Sequence, residues 1–186
     1  MSTAGGAWKA FDRARSVNCE SVQIFMKSNM QWFGKSPSEA DAARFVTELA
    51  KGDVGTVFGH AGYLINLAGP DGSNLEKSMK SLVQEIELAS MLKVPFLVLH
   101  PGAHLGQGED AGIKRIAQSL DQIFQATKNC PVRIALENTA GQGTYLGHQI
   151  RHLAEIFDHV NQQDRLGICL DTAHFFAAGY DIRKPN

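Results

Sequence analysis

An α/β fold with parallel strands is predicted by two regular features of the sequence. Short runs of β-branched and other apolar residues recur every 35 to 40 residues or so, as expected for strands buried on both faces. Amphipathic segments of helical period lie between these runs, and a further helix, roughly residues 6–16, precedes the first strand. Strands that alternate with helices pair in parallel through crossover connections. The predicted strands are SVQIF (21–25), VGTVF (54–58), PFLVL (95–99), VRIAL (132–136) and LGICL (166–170), and the helices between them span residues 37–50, 73–92, 111–127 and 148–160.

Composition limits the function classes. The chain has 186 residues, 44% of them hydrophobic, which suffices for one domain or part of a larger one. A formal net charge of -1 gives no global sign of a nucleic-acid or membrane partner, so any DNA contact must be local. No secretory segment or long apolar run is present, and we expect a cytoplasmic protein without membrane contact. Cys19, Cys130 and Cys169 stand singly, and we interpret them as small buried residues in a reducing compartment.

Two architectures fit these units: an open doubly wound sheet and part of an eight-stranded barrel. A nucleotide-binding sheet is expected to carry a glycine-rich phosphate motif after its first strand. The nearest match, GQGTYLG at residues 141–147, follows the fourth predicted strand and lacks the Lys-Ser/Thr end, so we interpret it as a plain glycine-rich loop. The residues at the strand ends favour the barrel.

Metal-binding side chains follow four consecutive predicted strands. His60 follows the second strand, His100 the third and Glu137 the fourth, while Asp171 and His174 follow the fifth. The carboxyl ends of barrel strands ring one mouth, so residues far apart in sequence converge there. We therefore expect these five side chains to form one metal centre.

The chemistry of this residue set favours a divalent metal, and zinc in particular. Imidazole nitrogens and carboxylate oxygens are zinc ligands, and Glu137 can bridge two ions with one oxygen on each. Asp171 and His174 lie on one loop and could serve two different ions. Adjacent metals can activate a water and stabilise a phosphoryl displacement, so hydrolysis of a phosphodiester is the first reaction class to consider.

Several polar residues near these motifs receive structural interpretations. We expect His104 to have a loop role, beyond the turn at residues 101–102, and Asn138 to cap a loop. His148, His152 and His159 fall on or beside a predicted helix, where a solvated face is expected.

Four segments resemble endonuclease IV, the family of zinc-dependent apurinic/apyrimidinic endonucleases. They are HAGYLINLA (60–68), LVLHPGAHLG (97–106), ALENTAGQG (135–143) and GICLDTAH (167–174). The resemblance covers essentially the whole chain, and the last motif is quite specific. It implies that His60, His100 and Glu137 hold one zinc, that Asp171 binds a second zinc bridged by Glu137, and that His174 binds a third. Glu137 is thus the candidate catalytic residue.

The resemblance also implies an activity. Members of this family are TIM-barrel repair enzymes that use three zinc ions and act on double-stranded DNA with abasic sites. A metal-activated hydroxide cleaves the backbone on the 5′ side of the abasic site, leaving a 3′-hydroxyl and a 5′-deoxyribose phosphate. Trimming of blocked 3′ ends is a further family activity, and the damaged site is flipped out of the stack.

Five residues are candidate DNA contacts by the same resemblance. Tyr63 and Leu64 match the loop that wedges into the duplex. Asn29, Met30 and Gln31 fall in the DNA-penetrating loop, where Met30 stands at a position that is arginine in some members.

The neighbouring positions are expected to be structural. Gly62 stands where the family signature usually has serine, and Trp32 is expected to pack in the core against a barrel helix. Lys27, Lys35 and Arg133 are possible phosphate contacts for which a solvated surface is the better expectation.

Residues 1–186 are expected to form a single partial TIM-barrel domain with about five of the eight strands of a (β/α)8 barrel. The resemblance places further zinc ligands in later strands. We therefore expect this chain to complete at most the first of up to three zinc sites and to have little or no nuclease activity, and we expect the full-length protein to be a monomer. Two alternatives remain: a sugar isomerase or epimerase of the same barrel superfamily, and a non-catalytic fragment that binds zinc or DNA.

Overall fold

All five predicted strands are present in the computed structural model, which describes residues 1–183; residues 184–186 of the predicted domain lie outside the described residues. Each predicted strand and helix begins and ends within a few residues of its predicted bounds, whereas the 3-10 turn and the last helix were not predicted. In chain order the elements are α1 (Lys9–Arg15), β1 (Ser21–Phe25), α2 (Glu39–Ala50), β2 (Thr56–His60), α3 (Ser73–Met91), β3 (Phe96–Leu99), α4 (Glu109–Ala126), β4 (Arg133–Glu137), α5 (Ile150–His159), a 3-10 turn (Gln163–Arg165), β5 (Leu166–Cys169) and α6 (Thr172–Ala177).

The five strands form one parallel sheet in the order β1-β2-β3-β4-β5, with a helix in every connection. The α/β prediction is confirmed. In the register, His60 pairs with Val98, and Glu137 pairs with Cys169. Within the described residues the sheet does not close on itself, and β1 and β5 are its edges.

The main core lies between the sheet and its helices. Leu97 and Ile134 are neighbours in the register and are fully buried, as are Ile86 of α3 and Ile116 of α4. Because side chains alternate along a strand, the other face of the sheet carries His60 and Glu137. That face is the one expected to line a barrel.

The prediction that each strand is buried on both faces is wrong at positions of β1, β4 and β5. Ser21 and Gln23 of β1 are exposed, and so is Arg133 on the same face of β4. On the helix-facing side of β5, Ile168 is 49% exposed. Among residues 1–183 no further layer covers these positions, so these side chains stay exposed.

The cysteines also depart from expectation. Cys19, Cys130 and Cys169 are free and partly exposed, and the first two pack at the margin of the core. Within residues 1–183, no helix has both the length and the apolar character needed to cross a membrane.

Candidate metal centre

The five predicted ligands lie together at the carboxyl ends of the strands. His60 and Glu137 are the last residues of β2 and β4, and His100 directly follows β3. Asp171 precedes the first residue of α6, and His174 lies in the first turn of that helix. The parallel sheet therefore brings to one place residues that come from four separate segments of the chain.

Three of these side chains form the first group. The Nε2 atoms of His60 and His100 lie 3.2 Å and 2.7 Å from the same oxygen, Oε2 of Glu137. The candidate ligand atoms of the three residues all lie within 4.8 Å of one another. His60 and Glu137 are buried, and His100 is partly exposed beside a cavity. Two nitrogens and one carboxylate oxygen form a donor set that zinc accepts, with room for a fourth ligand from solvent.

The charges within this group are coupled. Burial by itself would raise the pKa of Glu137, but the hydrogen bonds from His100 and His60 outweigh it and lower the pKa to about 2. Burial would lower the pKa of His60, but the contact with Glu137 outweighs that effect and raises it. The two histidine contacts therefore favour the ionised form of Glu137.

The ring orientation of His60 suits metal binding. Its Nδ1 lies 2.8 Å from the backbone oxygen of Ala61, which can only accept a hydrogen bond. Nδ1 must therefore carry the proton, and in the neutral ring the lone pair lies on Nε2, which faces Glu137. Metal-binding histidines are usually held in this way, with the second ring nitrogen donating to a backbone oxygen.

Asp171 and His174 form a second group with Glu137. One oxygen of Asp171, Oδ1, accepts a hydrogen bond from the backbone N–H of His174 at 2.8 Å and caps α6. The Nδ1 of His174 lies 2.8 Å from the backbone oxygen of Asn138 and so carries a proton. The lone pair of neutral His174 is therefore on Nε2, although Nδ1 is the ring nitrogen that lies 3.8 Å from Glu137 Oε1. This orientation fits a role for His174 toward a different ion from the one that Asp171 and Glu137 would share.

Asn138 has a larger role than the predicted loop cap. Its side-chain oxygen accepts a hydrogen bond from the backbone N–H of Asp171 at 2.7 Å, and its amide donates to the Asp171 backbone oxygen at 3.0 Å. The side chain thus extends the pairing of β4 and β5 by one position and holds the segment that carries Asp171 and His174 against Glu137.

A cavity of about 340 Å³ opens beside the first group. Its walls include Tyr63 and Tyr145, which come from two different loops, together with Thr139 and Gln142. The last three were not predicted from the sequence. They lie in the segment after Glu137, and the presence of polar and aromatic residues directly after a ligand-bearing strand is the signal that indicates them.

The candidate DNA contacts lie at the same mouth. Met30 is 65% exposed and Tyr63 is 55% exposed, Gln31 is exposed, and Asn29 and Leu64 are half-buried. The backbone N–H of Tyr63 donates to the backbone oxygen of Asn29 at 3.0 Å, which joins the two loops. Five residues predicted from two separate segments therefore belong to one joined surface.

Trp32 and Lys27 differ from prediction. Trp32 is half-buried and lines a groove with Leu64, outside the main core. The side chain of Lys27 is only 2% exposed, because its Nζ forms an ion pair with Glu85 of α3 at 2.7 Å. Burial raises the pKa of the Glu85 carboxyl, although Lys27 opposes that rise. Lys35 and Arg133 are exposed, as predicted.

The prediction of a solvated His152 is wrong. The ring is fully buried, its Nδ1 accepts a hydrogen bond from the backbone N–H of Gly147 at 3.2 Å, and its Nε2 lies 3.2 Å from Glu109. In the neutral ring Nε2 therefore carries the proton, and it lies beside the carboxylate without forming a hydrogen bond among the described residues. Glu109 also pairs with Arg151. Although Glu109, His148 and His152 lie close together, the proton on Nε2 and the nearby guanidinium make this group a poor metal site.

Two of the other three histidine predictions are confirmed. His104 accepts a hydrogen bond from the backbone N–H of Gly108 at 3.1 Å within its own loop, and His159 is exposed. His148 is half-buried rather than solvated, with Nδ1 2.9 Å from the backbone oxygen of Tyr145.

Comparison with known proteins decides the family. A family model described as "Xylose isomerase-like TIM barrel" matches residues 11–185. The chain belongs to this family. Membership of the xylose isomerase-like TIM barrel family confirms the predicted fold class, of which the described residues contain five strands.

Within the xylose isomerase-like TIM barrel family, the chain is similar to proteins named "Probable endonuclease 4". The protein of that name from Chloroflexus aggregans is 45% identical over 186 residues, which is all of this chain and 65% of the relative. The one from Nitratidesulfovibrio vulgaris strain Hildenborough is 46% identical over 182 residues, or 98% of this chain and 64% of the relative. The chain thus spans a little under two thirds of the length of these relatives. The resemblance stated from the motifs is confirmed.

Solved structures also match this chain over most of its length. Endonuclease IV from Thermus thermophilus matches with a TM-score of 0.84 and 31% identity, over 97% of this chain and 64% of that one. A D-tagatose 3-epimerase-like protein matches with a TM-score of 0.71 and 20% identity, over 88% of this chain and 60% of that one, which is a likeness of fold alone.

Proposed function

We propose that this chain is the metal-binding part of a zinc-dependent DNA repair endonuclease that cleaves the backbone 5′ to abasic sites. The observation that carries the proposal is that His60 and His100 both approach one carboxylate oxygen of Glu137, with Asp171 close to the same glutamate. The names of the relatives supply the reaction class, and the site supplies chemistry that suits it.

In this proposal the chain's residues divide the work. His60, His100 and Glu137 hold the first zinc, Glu137 also reaches the second zinc with Asp171, and His174 contacts a third. Bound zinc supplies a Lewis acid that activates water and stabilises negative charge on the phosphate oxygens. Because Glu137 has two carboxylate oxygens, it would be able to serve both zinc sites.

The cavity next to the first group is assigned to the substrate. Its tyrosine walls and its volume of about 340 Å³ suit a sugar-phosphate unit turned out of the duplex. Tyr63, Leu64 and residues 29–31 lie on the joined surface at the rim, where apolar side chains can wedge between base pairs. Double-stranded DNA with an abasic site is the partner we propose, and a cytoplasmic monomer remains our prediction for the full-length protein.

The 186 residues alone are proposed to hold one zinc firmly and to cut DNA poorly. Among the described residues, the second group relies on Glu137, which the first group already uses, and His174 directs Nε2 toward a third position. The second and third ions would therefore have too few protein ligands from this part of the chain.

The test measures zinc content and cleavage of a duplex carrying one abasic site. It compares the chain alone with the chain joined to the remaining segment of the Chloroflexus aggregans relative. We expect about one zinc and little cleavage for the first, and about three zincs and efficient 5′ incision for the second. His100→Gln should abolish cleavage by the fusion, whereas the control His159→Gln, which changes an exposed histidine outside the centre, should not. Robust incision by the 186-residue chain with one zinc would contradict the proposal of poor cutting, and an inactive but zinc-loaded fusion would contradict the nuclease assignment.

A sugar isomerase or epimerase is the second candidate, because the matching family model is described as xylose isomerase-like. Proton transfer beside a carbonyl needs a base such as a lysine or a second glutamate. In the part of the chain that the structure describes, the residues that line the cavity include neither. We therefore prefer the nuclease, and epimerisation of a ketose by the zinc-loaded protein would reverse that preference.

A further inference from the structure

We propose that the buried ion pair of Lys27 and Glu85 is a positioning device that sets the two DNA-facing loops against each other. The loops are residues 27–31, which follow β1, and residues 62–64, which follow β2. The pair's effect on DNA binding rests on the proposed function, whereas its effect on the loops does not.

The contacts of Glu85 tie both loops to one helix. Lys27 Nζ lies 2.7 Å from Glu85 Oε1, and the backbone N–H of Gly62 donates to both carboxylate oxygens at 3.1 and 3.2 Å. Lys27 Nζ also donates to the backbone oxygen of Gln31 at 2.8 Å. A single carboxylate on α3 is thus bonded to the start of each loop, and the lysine closes its own loop.

Burial separates this pair from an ordinary surface salt bridge. The side chains are 2% and 1% exposed, so Lys27 cannot reach a phosphate without leaving a charged carboxylate behind. Removal of one partner from a buried pair leaves an uncompensated charge, which is far more costly than loss of an exposed pair. Lys27 therefore acts on DNA through the shape of the loops rather than by direct contact.

The backbone of Gly62 packs directly against the Lys27–Glu85 ion pair. A Cβ atom built at this position would lie 2.9 Å from Lys27 Nζ and 3.2 Å from Glu85 Oε1. A side chain at residue 62 would therefore require the Lys27 ammonium to move away from its present position. The same segment then places Tyr63, whose N–H bonds to the Asn29 backbone oxygen, so the candidate contacts on both loops depend on this one packing point.

Four variants of the zinc-loaded chain test the proposal: Lys27→Met, Glu85→Gln, the double variant and Gly62→Ala. Gly167→Ala is the matched glycine control, since a Cβ there meets nothing within 4 Å. The first readout is amide hydrogen exchange at Gly62 and Tyr63, with Leu99 in β3 as an internal standard for global stability. The second is affinity for a duplex with one reduced abasic site over a range of salt concentrations.

We expect exchange at Gly62 and Tyr63 to quicken in all four variants, while Leu99 in the same samples changes less. DNA affinity should fall about tenfold in each single variant, and the double variant should fall by less than the product of the two losses. The slope of log affinity against log salt should stay the same, because no phosphate contact is removed. Gly167→Ala should behave as wild type in both readouts.

Two results would overturn the proposal. One is unchanged exchange at Gly62 and Tyr63 in Glu85→Gln. The other is a loss of affinity in Lys27→Met alone, with a salt slope reduced by about 0.9, which is the mark of a direct phosphate contact. If wild type itself fails to bind abasic DNA, the proposed function fails, and the exchange rates still decide whether the ion pair sets the loops.

Discussion

His100 Nε2 lies 2.7 Å from Glu137 Oε2, the oxygen that His60 Nε2 also approaches. The two imidazoles come from adjacent strands and meet one carboxylate of a third strand. A divalent cation bound by these three side chains would displace the protons that the imidazoles share with Glu137.

Glu137→Gln should weaken zinc binding by the chain by at least about 100-fold. The substitution removes the only anion of the first group among the described residues and replaces an oxygen ligand by a weaker amide. Zinc affinity is measured by competition with a chromogenic chelator. Glu109→Gln, in the separate group around His152, is the control and should bind zinc as wild type. Equal affinities for the two variants would exclude Glu137 as a ligand.

The free energy of unfolding of the metal-free chain should pass through a maximum as the pH is varied, because of the ionisation of Glu137 and His60. The pKa of Glu137 is lowered to about 2, so its contribution is complete above the usual carboxyl pKa of 4.5 and is lost as the pH falls through the lowered value. The pKa of His60 is raised above 6.5, so its contribution is complete below 6.5 and is lost as the pH rises through the raised value. Both contributions are complete only between about pH 4.5 and 6.5.

Urea unfolding in the presence of a chelator, from pH 3 to 9, measures this profile. His60→Gln should flatten its alkaline side, because the group that loses a proton there is gone. Added zinc should reverse the alkaline trend, since zinc displaces protons from its ligands and binds more tightly as the pH rises. A His60→Gln profile with the same alkaline slope as wild type would show that another group is responsible.

Asn138→Ala should destabilise the metal-free chain by about 1 to 3 kcal/mol, because it leaves the backbone N–H and C=O of Asp171 without their partner. Asn161 offers a control on the exposed surface: its side-chain amide donates one hydrogen bond, to Asp121, and its backbone N–H donates to the same carboxylate and is kept in the variant. Asn161→Ala should therefore cost less. The measurement is urea unfolding of both variants, and a larger loss for the Asn161 variant would contradict the role given to Asn138.

His152→Ala should also reduce stability by about 1 to 3 kcal/mol while zinc content stays unchanged. The buried ring accepts from Gly147 and faces Glu109, so its removal opens a cavity and leaves polar groups unpaired. His159→Ala, at an exposed position, should stay within about 0.5 kcal/mol of wild type. Thermal unfolding combined with elemental analysis checks both statements. A lowered zinc content in His152→Ala would show that this group binds metal after all.

Residues at strand ends could be predicted from the sequence, whereas residues whose partners come from distant elements could not. His60, His100 and Glu137 could be predicted because strand ends in a parallel sheet are recognisable and meet at one edge. The burial of Lys27 could not be predicted, because its partner Glu85 lies on a later helix with no local signal that the two meet. His152 was misassigned for the same reason, since Gly147 and Glu109 reach it from two other segments.

The exposed face of β1 shows a different limit. An apolar run such as SVQIF predicts a strand, but whether both faces are covered depends on neighbours that the run does not specify. The double hydrogen bond of Asn138 to Asp171 likewise depends on the register of β4 and β5, which the sequence alone does not reveal.

Zinc K-edge X-ray absorption on the chain loaded with one equivalent of zinc tests the central claim most directly. If His60, His100 and Glu137 bind the zinc, the spectrum should show two imidazole nitrogens at about 2.0 to 2.1 Å from the metal. The remaining ligands should be oxygens, with no sulfur. In His100→Gln the spectrum should show one imidazole. A sulfur ligand at about 2.3 Å, or two imidazoles retained in the variant, would contradict the assignment of His60, His100 and Glu137 as the metal centre.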